Sequence, residues 1–380
     1  MLQPILDDEF YMQLAIDMAS RVIGQTSINP AVGCVIVKDG RVTGLGAHLR
    51  RGEGHAEVHA LNMAQEQAHG ATAYVTLEPC SHYGKTPPCS MRLIEAGIAR
   101  VVVACTDPNP VVSGSGVKLL RDHGIEVIVG VLEAKAKQLI EMFVKFISTK
   151  MPFVTMKTAQ TLDGKIATHR GHSQWITNAI AREHVHTMRH KHQAIMVGIG
   201  TVLADNPSLT TRLSVPGLHP VRIIVDSKLR LPLDAKVVTD KCAPTWVLTT
   251  SQADPERARQ LQAQGVTVIA VNDGDTVHLA SAMRMLGERE IGSVLLEGGG
   301  RLNGSMLKAG LIDRVVLMMA AKIVGHPDAP ASFCFTGPDK MSDALELEHI
   351  EVDTLDNNIV IQGYPANRMF REEDCTCLPD

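Results

Sequence analysis

"HAEVHA" at residues 55–60 and "PCSHYGKTPPC" at residues 79–89 decide how this chain is read. The first places His55 and Glu57 two residues apart. The second sets Cys80 and Cys89 on either side of a loop of eight residues that contains Pro87 and Pro88. The pattern predicts His55 at the start of a helix, so that His55 and Glu57 face one cavity. Cys80 follows Pro79 at the end of the predicted strand "AYVTLE", and Cys89 opens the next helix. A catalytic zinc takes three protein ligands and keeps its fourth position for water. His55, Cys80 and Cys89 supply three. Gly84 permits a tight turn and the prolines fix the return path, so the long loop still lets both thiolates converge.

The metal would bring the pKa of its water toward neutrality. Glu57, within reach but not a ligand, would carry a proton from that water to a leaving group. Zinc base deaminases carry H-x-E followed by P-C-x-x-C, and here the second half is stretched. Each of these residues alone would be an ordinary solvated acid or buried thiol. Together, in this order between these elements, they form a specific signal.

Composition sets the class. The chain has 380 residues, too many for one ordinary core, and two domains are expected. Apolar residues make up 45% and charged residues 21%, as in soluble globular proteins. Aromatics at 3% and a net charge of −4 argue against a nucleic-acid footprint. No leader is visible in "MLQPILDDEF", and no apolar run has the length of a membrane span, so a cytoplasmic enzyme without membrane contact is expected. Eight cysteines are too few for a disulfide scaffold and favour metal or catalysis.

Helical and strand patterns alternate along residues 7–148, with a hairpin predicted to turn at Asp39-Gly40. A second α/β series starts near "KMPFVTMKTAQTLDG". Its strand candidates are "HQAIMVGIG", "PVRIIVDS", "TWVLTT", "VTVIAV", "SVLLEGGG" and "RVVLMMAAKIV", mostly of buried character. Helices are predicted at 178–191, 254–264, 278–287 and 301–309. The expected domains are 1–150 and 151–367, followed by a flexible tail, 368–380.

A family resemblance rests on motifs in both halves. "NPAVGCVIV" (29–37), "HAEVHAL" (55–61), "LEPCSHYGKTPPC" (77–89) and "TDPNPVVSGSG" (106–116) resemble the deaminase half of the bifunctional deaminase/reductase family of riboflavin biosynthesis. "MKTAQTLDGKIA" (156–167), "SQWIT" (173–177), "VGIGTVLADNPSLTTR" (197–212) and "EGGGRLNGSML" (297–307) resemble its reductase half. The match covers about residues 7 to 365, in the family's order. The stretched cysteine spacing is the rule in that family.

The resemblance implies a cytidine-deaminase-like fold followed by a dihydrofolate-reductase-like fold. It implies zinc-dependent deamination of 2,5-diamino-6-(ribosylamino)-4(3H)-pyrimidinone 5′-phosphate in the first domain. In the second it implies NADPH reduction of the ribosyl chain to give 5-amino-6-(ribitylamino)uracil 5′-phosphate. Deaminase substrate contacts map onto Asn29, His48, His82, Lys85, Asp107 and Asn109. Amides and a carboxylate suit an amino-pyrimidinone and Lys85 suits a phosphate, although Asn29 and Asp107–Pro110 also suit plain turns. Reductase substrate contacts map onto Ser173, Arg189, Leu209, Arg212 and Glu297, with the two arginines as phosphate clamps. NADPH contacts map onto Ala159, Trp175, Thr201, Asp205, Ser227, Gly299, Gly300, Arg301, Leu302, Asn303, Gly304 and Ser305. The family is typically oligomeric, which implies a homodimer.

Read physically, "EGGGRLNGS" between a strand and a helix lets backbone approach a pyrophosphate, but it is not the G-x-G-x-x-G fingerprint. Ser227 with Lys228 and Arg230 suits a 2′-phosphate, whereas Asp226 would favour free ribose hydroxyls. Lys157 and Asp163 are candidate positioning groups. His184, His186, His190 and His192 read as surface or packing histidines, not as a second metal site. Cys34, Cys105, Cys242 and Cys334 read as buried filler, and Cys375 and Cys377 in the tail have no histidine partners.

Overall fold

The computed structural model describes residues 5–82, 87–109 and 113–366. The chain divides into two compact units, residues 1–150 and 151–380. Lys85 and the 368–380 tail, with Cys375 and Cys377, lie outside the described residues.

The first unit runs α1 (Asp8–Ser20), β1 (Gly33–Lys38), β2 (Arg41–Ala47), α2 (Ala56–Ala64), β3 (Thr72–Val75) and α3 (Cys89–Glu95). It continues with β4 (Arg100–Val103), α4 (Ser115–Asp122), β5 (Glu126–Val129), α5 (Glu133–Leu139) and α6 (Glu141–Thr149). The strands form one sheet in the order β2-β1-β3-β4-β5. β1 pairs antiparallel with β2 and β3, and β3, β4 and β5 run parallel. The hairpin does turn at Asp39-Gly40, both at positive φ (49° and 73°), the geometry that matches strand twist. Its apolar faces close over Met12, Val35, Ile36, Leu93, Val102 and Leu120.

Glycines set how close α2 lies to this sheet. A Cβ on Gly46 would stand 2.0 Å from the carbonyl of Ala56, and one on Gly44 would stand 2.2 Å from that of Ala60. Only the missing side chains let the helix backbone rest on β2, and that contact aims its N-terminal turn, with His55 and Glu57, at the ends of β1 and β3.

The second unit runs β6 (Phe153–Thr161), α7 (Ala179–Lys191), β7 (Ala194–Gly198), α8 (Ile199–Asp205), β8 (Val221–Val225), α9 (Lys236–Thr239) and β9 (Thr245–Thr250). Then follow α10 (Pro255–Ala263), β10 (Thr267–Asn272), α11 (Leu279–Glu288), β11 (Ser293–Leu296), α12 (Gly300–Lys308), β12 (Arg314–Ala320), β13 (Leu347–Leu355) and β14 (Asn358–Pro365). The sheet order is β10-β9-β8-β7-β11-β6-β12-β14-β13. The seven strands from β10 to β12 are parallel, and β14 and β13 are added antiparallel. Met196, Ile223 and Leu248 face one core cluster, while their neighbours Val197, Ile224 and Val247 face another. Burial on both faces explains why these strands read as unbroken apolar runs.

Several expectations need correction. "VTVIAV" is β10, the outer parallel strand, and only one of its six residues is buried. The β13–β14 hairpin was not anticipated, because β13, "LEHIEVDTL", is polar and has no buried residue. Cys34 and Cys105 are buried as expected, but Cys242 and Cys334 are exposed loop residues.

Candidate active site

In the first unit His55 is the residue before α2, Cys80 follows β3, and Cys89 is the first residue of α3. His55 Nδ1 stands 3.3 Å from Cys89 Sγ and 3.6 Å from Cys80 Sγ. Tetrahedral zinc with Zn–S near 2.3 Å and Zn–N near 2.0–2.1 Å requires ligand atoms about 3.5–3.8 Å apart. The donor set fits that metal with small adjustments. Among the described residues this is the one group of three or more His, Cys, Asp or Glu side chains gathered within metal-binding range. The hydrogen bond from the Cys89 thiol, aided by His55, holds the Cys80 thiol well below its ordinary pKa, while Cys89 is pushed up by the thiolate beside it. Two thiols so close cannot both ionise freely without a cation between them.

Glu57 is 3% exposed, and its Oε2 has no hydrogen-bond partner in the chain. Burial pushes its carboxyl up to about 7, against the pull of His55. A buried carboxyl with an unmet oxygen beside a metal centre, titrating near neutrality, suits a group that takes and returns a proton.

These groups open into a cavity of about 260 Å³ lined by Asn29, His48, His82, Asp107, Asn109 and Phe143, among others. All the described deaminase substrate candidates are therefore in one place. His48 is kept neutral by burial. Its Nδ1–H donates to Gly54 O (3.2 Å), so its Nε2 accepts from the Asn29 amide (3.2 Å) and turns the Asn29 carbonyl into the available acceptor. Asp107 Oδ1 accepts from the Asn109 backbone N–H at 2.8 Å. Burial raises the Asp107 pKa, against that hydrogen bond.

Six lining residues were not among the candidates named from the sequence: Pro30, Val32, Leu77, Glu78, Phe143 and Ile147. Phe143 and Ile147 are one turn apart on α6, a signal available in "EMFVKFIS". Glu78 accepts four backbone N–H bonds, a role that no residue pattern announces.

In the second unit the reductase candidates cluster at the carboxyl ends of four adjacent parallel strands. Ala159 is near the end of β6, Thr201 and Asp205 follow β7, Ser227 follows β8, and Glu297 to Gly300 follow β11. Open parallel sheets bind ligands at this end. Ser173 Oγ bonds Asp205 Oδ1 at 3.2 Å, Gly299 lies beside Thr201, and Trp175 is 61% exposed.

Three expectations change at this site. Arg189 is not a free phosphate clamp. Its Nε and Nη2 bond both carboxylate oxygens of Glu297 (2.7 and 3.0 Å), and its Nη1 bonds Thr210 O. Arg212 is exposed and makes a single side-chain bond, to Thr210 Oγ1, so it is the available cation. The Leu209 side chain packs in a core cluster and offers a ligand only its backbone. Asp226 is 1% exposed, and its Oδ2 accepts from Leu231 N, so it stabilises its own turn.

The glycine-rich turn also has a packing role. A Cβ on Gly300 would meet Ala331 O at 2.3 Å, and one on Gly304 would meet Cys334 O at 2.6 Å. Both seat α12 against the 331–334 segment, and Asn303, fully buried, donates to Ser332 O. Arg301 and Ser305 are the exposed members of the stretch.

Burial drives the Glu297 carboxyl up, but Arg189 and Lys157 overcome it and hold it at about 2. Asp163 accepts from Thr161, Val324 and Gly325, which makes it a turn residue. His186 and His190 accept backbone N–H bonds from Arg212 and Leu218, and His192 is buried against Thr155, so these histidines are packing groups.

Two family models cover the chain. RibD C-terminal domain matches residues 152–361, and cytidine and deoxycytidylate deaminase zinc-binding region matches residues 6–105. The riboflavin biosynthesis protein RibD of Bacillus amyloliquefaciens is 45% identical over 360 residues, 95% of this chain and 97% of that protein. Its namesake from Escherichia coli K12 is 41% identical over 359 residues, 91% and 96% of the two chains. The solved Acinetobacter baumannii RibD, form 1, superposes with TM-score 0.84 at 40% identity, over 94% of this chain and 98% of that one. The Thermotoga maritima diaminohydroxyphosphoribosylaminopyrimidine deaminase/5-amino-6-(5-phosphoribosylamino)uracil reductase gives TM-score 0.83 at 40% identity, with the same coverage.

Proposed function

This chain belongs to the RibD family of bifunctional riboflavin-biosynthesis deaminase/reductases, and on that premise we propose how its residues divide the work. Residues 1–150 deaminate the diaminopyrimidinone ribosylamine 5′-phosphate, and residues 151–367 reduce the product with NADPH. The observation that carries the first assignment is the His55–Cys80–Cys89 donor set with the orphaned carboxyl of Glu57 beside it.

Zinc held by His55, Cys80 and Cys89 supplies the Lewis acidity that makes a water nucleophilic at neutral pH. Glu57 takes the proton of the attacking water and delivers it to the departing nitrogen, which leaves as ammonia. The Asn29 carbonyl and the Asp107 carboxylate accept from the ring and its amino groups, each pre-set by a bond to His48 or Asn109. Phe143 and Ile147 give the ring an apolar wall that excludes water. His82, which lines the cavity, receives the phosphate, helped by the charge of Lys85.

In the second unit NADPH supplies the hydride. Ala159, Trp175, Thr201, Asp205, Ser227 and the 299–305 stretch hold the cofactor. Ser173, Arg212 and the Leu209 backbone bind the substrate, and the Arg189–Glu297 pair shapes its pocket. Lys157, buried 3.8 Å from Glu297, completes that charge cluster.

A homodimer in the cytoplasm is the setting that the family implies, and light scattering of the purified protein tests the assembly. Among the described residues no helix is long and apolar enough to cross a membrane. The function is tested by incubating the protein with the diaminopyrimidinone phosphate and following ammonia and NADPH. Ammonia without NADPH, then oxidation of NADPH once it is added, is expected; neither signal from zinc-loaded protein would refute the assignment.

A further inference from the structure

We infer that Glu78 is a positioning residue of the deaminase site, which sets substrate affinity by fixing the Asp107–Asn109 turn to the loop after β3 that carries Cys80. The inference rests on the deaminase reading of the first unit. Glu78 is 3% exposed, and both of its carboxylate oxygens are fully used. Oε2 accepts from the backbone N–H of Asp107 (3.1 Å) and Gly114 (2.9 Å). Oε1 accepts from Gly116 (2.8 Å) and Val117 (3.2 Å), in the first turn of α4.

The side chain therefore caps α4 from the loop that follows β3, and its negative charge sits at the positive end of that helix. The same oxygen that serves Gly114 also holds the amide of Asp107. Asp107 in turn orients its carboxylate through the Asn109 N–H. One hydrogen bond thus ties the loop after β3 to the backbone of Asp107, whose carboxylate is set by a second.

Close packing confirms that the junction is built for this contact. A Cβ on Gly116 would meet Pro79 O at 2.0 Å, so nothing larger than glycine lets α4 reach residues 78–79. Glu78 has no bond to the metal ligands in this network, so its effect is separable from metal binding.

Glu78→Gln tests this, because an amide presents N–H groups to two of the four N–H donors. The variant is expected to bind one zinc, to raise the deaminase KM about tenfold with kcat changed less than about threefold, and to leave reduction of pre-deaminated substrate unchanged. Glu78→Asp, which keeps the charge but shortens the reach, should show the same KM-only defect at smaller size. In a double-mutant cycle with Asp107→Ala, the Glu78→Gln effect on KM should largely vanish, as expected for residues acting through one contact. Loss of zinc, a fall in kcat at unchanged KM, an unchanged KM, or additive effects in the cycle would each overturn the inference. Wild-type protein assayed alongside keeps the two claims apart: if it releases no ammonia, the deaminase reading itself fails.

Discussion

Arg189 grips Glu297 with both ends of its guanidinium, Nε to Oε1 at 2.7 Å and Nη2 to Oε2 at 3.0 Å, with both side chains only 12% exposed. Breaking such a pair leaves Glu297, in a nearly dry site, with only the longer contact to Lys157 at 3.8 Å. Arg189→Met should therefore destabilise the second unit by about 3–5 kcal/mol. Arg212→Met should leave stability within about 0.5 kcal/mol, as for exposed positions, and raise the reductase KM for the phosphorylated substrate. Urea unfolding and steady-state kinetics of the two variants separate these roles. Equal stability losses, or an unchanged KM in Arg212→Met, would contradict the division.

The glycine-rich turn after β11 yields a packing prediction. Gly300→Ala puts a methyl 2.3 Å from Ala331 O, so α12 or the 331–334 segment must shift. A cost of about 1–3 kcal/mol is expected from overpacking. Because the shift moves the exposed side chains of Arg301 and Ser305, KM for NADPH should also rise. Thermal unfolding and cofactor titration check both effects, and an unperturbed variant would show that the close approach is not needed.

His192 predicts how stability responds to acid. Burial pulls its pKa from 6.5 to about 4. Between those values the unfolded chain takes up a proton that the fold does not, so stability rises with pH across that window and is lost as pH falls through it. The loss by pH 4 is on the order of 3 kcal/mol. Below pH 4.5 Glu297, held at about 2, adds to it, since its unfolded form protonates first. Melting temperatures measured from pH 7.5 to 4.5 should fall, and His192→Gln should flatten the slope above pH 5. A variant with an unchanged slope would place the titrating group elsewhere.

Much of this was legible in the sequence, for identifiable reasons. His55, Glu57, Cys80 and Cys89 could be found because metal chemistry demands particular residue types at element ends. The parallel strands of the second unit could be found because double burial writes continuous apolar runs, as in "HQAIMVGIG". What escaped depends on partners distant in the chain. Glu78 looks like any acid until the amides of Asp107, Gly114, Gly116 and Val117 close on it. Arg189 looks like a clamp until Glu297, 108 residues away, closes on it. β13 escaped because it buries no residue, so its polar run carries no core-facing signal. Cys242 and Cys334 were misread because free cysteine is so commonly buried that loop exposure goes against the prior.

The central claim is that Glu57 transfers the proton in a deaminase site separate from the reductase site. Ammonia release by zinc-loaded Glu57→Gln, set beside its NADPH oxidation on pre-deaminated substrate, tests it most directly. Zinc content at one per chain, ammonia release slowed by about 10²–10⁴-fold, and a wild-type rate of NADPH oxidation are predicted. Ammonia release at the wild-type rate by that variant would contradict the account.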